Sequence, residues 1–342
     1  MMVRIHFLSL VFMSCAALPV FGQSGRSLDL TIDGVGLSIG DSKELTGVRL
    51  NFRDRELRRV TGINATIWFP HENARGVVTG LALGLPGGGG RQISGIGLGA
   101  LGISAEESIK GLMLAGLGFG AGENFTGIGV AGLGAGAGRD VAGLMFAGLG
   151  AGSGRDFKGI GLAGLGAGAG RNVTGLFIGG LGVGAGQDVT GVMIGGLGAG
   201  AGRNVTGIMI GGMGVGAGGD MTGISIGGLA VGAGGTLSGV HIAGLAVGAP
   251  TIKGLIISGL AAGGQNVTGA VFTLAYMKIE EDGTFRGVSI AAYNRIQGEQ
   301  HGITIGILNY ARHLDGLQIG LLNYAGNKRG MKWMPVFNYH RD

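Results

Sequence analysis

A glycine returns every 16 residues at Gly95, Gly111, Gly127, Gly143, Gly159, Gly175, Gly191, Gly207, Gly223 and Gly239, without a slip. Self-similarity at a fixed period marks repeated units that bury their apolar side by stacking on their neighbours. Looser equivalents stand at Gly34, Gly47, Gly62 and Gly80, and again at Gly254, Gly269, Gly287, Gly302, Gly316 and Gly330. Glycine supplies 82 of the 342 residues, yet it does not recur every third residue, which excludes a collagen helix. The chain is too apolar for a disordered Gly/Ser linker, and it lacks the apolar runs of a helical membrane protein.

Within the unit Gly175–Thr190, Leu176 and Ile178 alternate on one face, and Leu181, Val183 and Ala185 alternate after them. Ile178 and Leu181 are an odd number of residues apart, so one straight strand would put them on opposite faces. A corner at Gly179-Gly180 returns both to the same side, and a second corner falls at Gly186-Gln187-Asp188. Each unit therefore predicts one coil of an all-β, single-stack β-solenoid, with about twenty coils in the chain. Residues 23–94 read as irregular N-terminal coils, 95–254 as the regular block and 255–342 as C-terminal coils.

Positions are counted from the repeating glycine. The expected interior columns are position two (Ile128, Leu144, Ile160, Leu176, Val192, Ile208, Ile224, Val240), the leucines of position seven (among them Leu165, Leu181 and Leu197), and positions nine and eleven. Met145, Phe177, Met193 and Met209 then fall on an outward column and read as an association surface. Outward glycines at positions eight, ten and twelve leave a bare sheet, a hint of lateral packing. Arg139, Arg155, Arg171 and Arg203 share a corner column beside Asp140, Asp156, Asn172, Asp188, Asn204 and Asp220. That pattern suits a ladder of turn residues better than a calcium-binding β-roll.

Two other architectures compete. A 16-residue unit also equals a membrane-spanning strand plus a turn, so an outer-membrane β-barrel is the alternative. The phase break at Gly179-Gly180, the two tryptophans and the terminal Asp342 speak against it. An ice-binding solenoid would want two threonine columns, and only position sixteen is rich in threonine.

Chemistry-bearing motifs dissolve into the repeat. Gly-x-Gly-x-x-Gly strings recur in every unit rather than once between a strand and a helix. Ser38 and Ser225 match a nucleophile elbow but lie on ordinary strand positions. The Asn-x-Thr sequons are turn residues of the repeat, and His71, His241, His301, His313 and His340 share no pattern. No enzyme activity, cofactor or metal is expected. The net charge of +5 gathers outside the repeat block, notably at Arg49, Arg53, Arg55, Arg58 and Arg59. That run is a candidate for anionic lipid or polysaccharide, and no nucleic-acid partner is expected.

The units Gly302-Ile-Thr-Ile-Gly-Ile-Leu-Asn309-Tyr310 and Gly316-Leu-Gln-Ile-Gly-Leu-Leu-Asn323-Tyr324 replace bare glycines by Asn and Tyr. Here, over roughly 287–342, the sequence resembles bacterial surface-repeat proteins built on Gly-Leu-Gln-Ile-Gly-Leu-Ile-Asn. The resemblance implies an exported, envelope-associated repeat protein and carries over no functional residue. Residues 1–22 agree with it: Phe7–Met13 is a short apolar run and Val20-Phe21-Gly22 suits a cut before Gln23, as in a secretory signal peptide. The single Cys15 lies inside that leader, so no disulfide framework is expected. The reading is a non-enzymatic structural or adhesive module at the cell surface, outer membrane or periplasm. Its partner is a second copy or an envelope component, with membrane association left open.

Overall fold

A computed structural model describes residues 27–71 and 75–341; the signal peptide expected at 1–22 and Cys15 lie outside them. These residues are all-β and form a parallel β-solenoid of about 16 turns, fewer than the twenty coils expected, with a 16-residue period. They fall into two compact units, Met1–Gly138 and Arg139–Asp342, a division that the unbroken glycine spacing does not mark.

In the first unit, the strand Ser27–Ile32 folds back antiparallel on Val35–Gly40 through Asp33 and Gly34, both at positive φ. From Val35–Gly40 onward each strand is joined in parallel to the next, with the repeating glycines facing one another at Gly47↔Gly62, Gly62↔Gly80, Gly80↔Gly95, Gly95↔Gly111 and Gly111↔Gly127. The second unit repeats the arrangement from Val141–Ala147 through the long Tyr293–Ala325 segment. It ends on Trp333–His340, which pairs antiparallel with Gly316–Tyr324. The parallel register excludes the outer-membrane barrel, whose strands pair antiparallel.

Each regular coil has one long strand, such as Val173–Gly179, and one short strand, such as Gly182–Ala185. Both expected corners exist, as bends at Gly180-Leu181 and Gly186-Gln187. A third turn in direction falls at the repeating glycine itself, which sits inside the long strand at φ near +130° (Gly175, φ 130).

Positions nine, eleven and fifteen face inward as the sequence suggests, but after the repeating glycine the inside and outside of the long strand are the reverse of the expectation. Positions fifteen, three, five, nine and eleven point inward: Val173, Phe177, Gly179, Val183 and Ala185 in one coil. Met145, Phe177, Met193 and Met209, expected as an outward association surface, are all 0 % exposed and form the core. Position two is half-buried or exposed instead, as at Leu176 and Ile224, and Leu165, Leu181 and Leu197 are 46, 50 and 50 % exposed. The corner at 180–181 takes the leucine onto its outer side, so positions five and nine, an even step apart, both face in. Position fifteen and position three are also an even step apart across the glycine, so one alternation holds from strand to strand.

Interior packing explains why this phase wins. The position-three column varies in size along the stack, running Met145, Gly161, Phe177, Met193, Met209, Ser225 and His241. Gly161 is the gap that the rings fill: a Cβ there would lie 3.2 Å from Phe177 and 3.4 Å from Phe157. Those two rings meet edge-on with centroids 4.6 Å apart. In the first unit Gly97 makes room for Met113 and Gly129 for Phe119. Large and small rungs compensate to keep the narrow core at crystal-like density.

Two interior polar clusters are hydrogen-bonded between coils. In the first unit Arg49 and Asp54, both 0 % exposed, form a buried ion pair. Arg49 also donates to Asn64 Oδ1 (2.8 Å) and Ser42 O (2.9 Å). Asp54 accepts from Asn51, Asn64 and Thr66. Arg49 is thereby removed from the basic run expected at the surface. In the second unit the resemblance-bearing asparagines turn inward as an amide ladder: Asn294 Nδ2 donates to Asn309 Oδ1 (2.8 Å) and Asn309 Nδ2 to Asn323 Oδ1 (2.7 Å).

The expected corner ladder is present. The backbone N–H of Asp156 donates to Asp140 Oδ1, that of Asn172 to Asp156, Asp188 to Asn172, Asn204 to Asp188 and Asp220 to Asn204, at 2.9–3.3 Å. Arg155, Arg171 and Arg203 reach back one coil to Asp140, Asp156 and Asp188. The hydrogen bond from Arg155 holds the Asp140 carboxyl below the usual carboxylate range. The acidic stretch Glu280–Asp282 bulges out of the ladder, which resumes at Thr284.

His241 is fully buried between Ser225 and Ile256, and burial pushes its pKa down. The folded chain therefore resists protonating it while the unfolded chain accepts a proton below about pH 6.5. Its contribution is complete above that pH and is lost on acidification. His241→Met, which matches Met209 two coils earlier, is expected to flatten the loss of melting temperature between about pH 7 and 5. Equal acid sensitivity in the variant and the parent would contradict this. His301 runs the other way: Asp315 and Glu299 raise its pKa, and with its side chain 34 % exposed it contributes little.

Candidate contact surface

The side chains that the phase turns outward form continuous apolar columns. In the second unit, position four stacks Phe146, Leu162, Ile178, Ile194, Ile210 and Ile226 in register, and position two runs beside it. The position-seven leucines make a third column, locked by backbone bonds such as Leu181 N to Leu165 O (2.7 Å) and Leu197 N to Leu181 O (2.6 Å). Partial exposure of each rung reflects shielding by the rungs above and below it.

Charge is confined to the other side of the coil. All fifteen Asp, Glu, Lys and Arg residues between 77 and 277 lie in the last five residues of their coils, the turn that leads into the next glycine. Positions one to ten carry none. From Gly143 to Gly316 the second unit has twelve glycine rungs. At ~4.8 Å per rung and ~3.3 Å per residue, the flank from position two to the corner after position five presents about 500 Å², and the position-seven leucines continue it round that corner. That is the upper part of the range of the largest apolar patch on an ordinary monomer, about 300–600 Å², and such patches are often functional.

A second face is bare. A Cβ at Gly184, Gly200 or Gly216 would lie 3.7–3.8 Å from the neighbouring coil, an ordinary contact. The chain itself does not require glycine there. One coil of the first unit has the equivalent positions covered: Gly87 lies under the Phe69 ring, and Gly89 lies 3.3 Å by its Cβ direction from Pro70. The same columns become Tyr276, Lys278, Tyr293 and Arg295 near the C-terminus. There Tyr310 and Tyr324 stack with centroids 4.8 Å apart.

In the first unit, position four again forms an exposed ladder, Ile39, Leu50, Ala65, Leu83, Leu98 and Leu114, ending at Val130. Here the corner residues at position six are large (Phe52, Ile67 and Leu85), whereas the second unit has glycine there from Gly148 to Gly259 and large residues again at Leu274, Ile307 and Leu321. Ladder and corner residues together line a cleft of about 1230 Å³.

The motif serines point into the interior. Ser38 is buried and donates to Asp29 Oδ1 (2.5 Å), and Ser225 is buried and donates to Met221 Sδ (2.6 Å). Sequence reading passed over the outward columns because their uniform aliphatic character looked like core. The readable signal was the exclusion of charge from positions one to ten. No family model, curated protein or solved structure matches the chain.

Proposed function

We propose that the protein is a non-enzymatic structural or adhesive module exported to a bacterial envelope or surface, and that it acts by laying a flat apolar solenoid face on a partner. The observation that carries this reading is the charge-free apolar flank of positions two and four, about 500 Å² and continued round the corner by the position-seven leucines, which water alone would not favour. Met145, Phe177, Met193 and Met209 at position three are core, so the contact role passes to Ile178, Ile194, Leu181 and Leu197. The likeness of residues 287–342 to bacterial surface-repeat proteins and the apolar leader at 1–22 both support export. A second copy or an envelope component is the partner.

The test is Ile178→Lys with Ile194→Lys. The circular dichroism spectrum is expected to stay that of the parent, because outward substitutions cost about 0.5 kcal/mol or less each. Self-association in analytical ultracentrifugation, or retention on bacterial envelope preparations, is expected to weaken at least about tenfold, since two charges must be desolvated without partners. A parent protein that neither associates nor binds envelopes would overturn the proposal.

A further inference from the structure

We propose that the cleft of the first unit binds a long-chain fatty acid, with the acyl chain along the position-four ladder and the carboxylate at Arg53 and Arg55. The inference stands apart from the contact role of the second unit. Three observations carry it.

The cleft is long and apolar. From Ile39 to Val130 the ladder has seven rungs in register, about 29 Å at ~4.8 Å per rung. A bilayer's ~30 Å hydrocarbon core is two acyl chains thick, so one extended chain lies within this length. The cleft is also concave. Phe52, Ile67 and Leu85 stand up from the corner and are 65, 53 and 68 % exposed. A flat membrane surface cannot seat on the ladder beneath such ridges, whereas a single detached chain can.

Charge marks one end. Arg53 and Arg55 are the cations that line the cleft, and Asp41 is its one anion. Asp41 is already engaged by Lys43 (2.8 Å) and Arg49 (3.2 Å). The Arg53 guanidinium donates through Nε to the Phe69 carbonyl (2.9 Å), which orients it without neutralising it. Two guanidinium groups beside an apolar trough match a carboxylate on a hydrocarbon chain, because the planar fork pairs with carboxylate oxygens while the chain leaves water.

Displacement of 11-(dansylamino)undecanoic acid by sodium palmitate tests this on the purified full chain. Palmitate is expected to displace the probe, and Ala65→Trp, which fills the smallest rung of the ladder, is expected to abolish displacement at unchanged melting temperature. Should that variant not fold, Arg53→Ala with Arg55→Ala decides. It is expected to weaken palmitate about tenfold while leaving 1-hexadecanol unchanged, since the alcohol has no charge to pair. Equal loss for both ligands would mean that the Phe69 loop had loosened, and would overturn the headgroup assignment. Binding to phosphatidylglycerol vesicles without palmitate binding, or no displacement at all, would overturn the proposal.

Discussion

Lysine at both Met193 and Met209 is expected to unfold the coils that carry them, whereas lysine at Leu181 and Leu197 is expected to shift the melting temperature by only a few degrees. The four residues are similar in size and hydrophobicity, and only their side of the sheet differs. Met193 and Met209 are 0 % exposed and adjacent in the ladder, so two ammonium groups would stand ~5 Å apart in a core without partners. The penalty is several kcal/mol per ion, against a total stability of about 5–15 kcal/mol for an ordinary domain. Leu181 and Leu197 are half exposed, and their lysines would extend into water. Thermal melts followed by circular dichroism compare the pairs directly. Similar melting temperatures for the two double variants would refute the assignment of inside and outside.

The second large effect concerns glycine. Gly191→Ala is expected to cost at least about 3 kcal/mol, and Gly184→Ala, seven residues earlier, to be neutral or stabilising by about 0.4–1 kcal/mol. At Gly191 φ is +132°, a region that side chains rarely adopt, and a Cβ there would collide with the carbonyl oxygen of Gly175 in the coil below. That oxygen belongs to a ladder held on both sides and cannot withdraw. At Gly184 a Cβ would rest 3.8 Å from Gly200 O. There the change mainly removes freedom from the unfolded chain. Urea denaturation of both variants measures the difference. If Gly191→Ala were as stable as Gly184→Ala, the glycine column would not be a steric requirement of stacking.

Both results bear on how this chain encodes its fold. The coil, its corners and its parallel stacking were legible because they rest on local chemistry. A glycine is needed wherever the backbone approaches the coil below, so it recurs at Gly143, Gly159 and Gly175 with the period of the coil itself. The Asp/Asn corner was legible for the same reason, since a side-chain oxygen there meets the backbone N–H of the next corner. The short strand was legible too, since positions nine and eleven face inward as expected; the single parity that joins them to positions fifteen, three and five was not, because the corner was expected to shift the phase.

Which face of the long strand turns inward was not legible. In most strands one face is polar, and the contrast assigns the core. Here Leu176 and Ile178 on one face are as apolar as Phe177 on the other, so hydrophobicity does not choose between them. The choice is made by relations between coils that one repeat does not contain. Phe157 and Phe177 close over Gly161, and Arg49 finds Asp54, Asn64 and Ser42. Asn294, Asn309 and Asn323 satisfy one another only when stacked. A mixed column of Met, Gly, Phe, Ser and His suits the narrow interior because each rung's volume is corrected by its neighbours. A uniform column of Leu or Ile packs as well outside as in. The sequence by itself thus determined the coil and its repetition through backbone sterics; the tertiary structure decided the contact face, because filling and satisfying the core are properties of the stack.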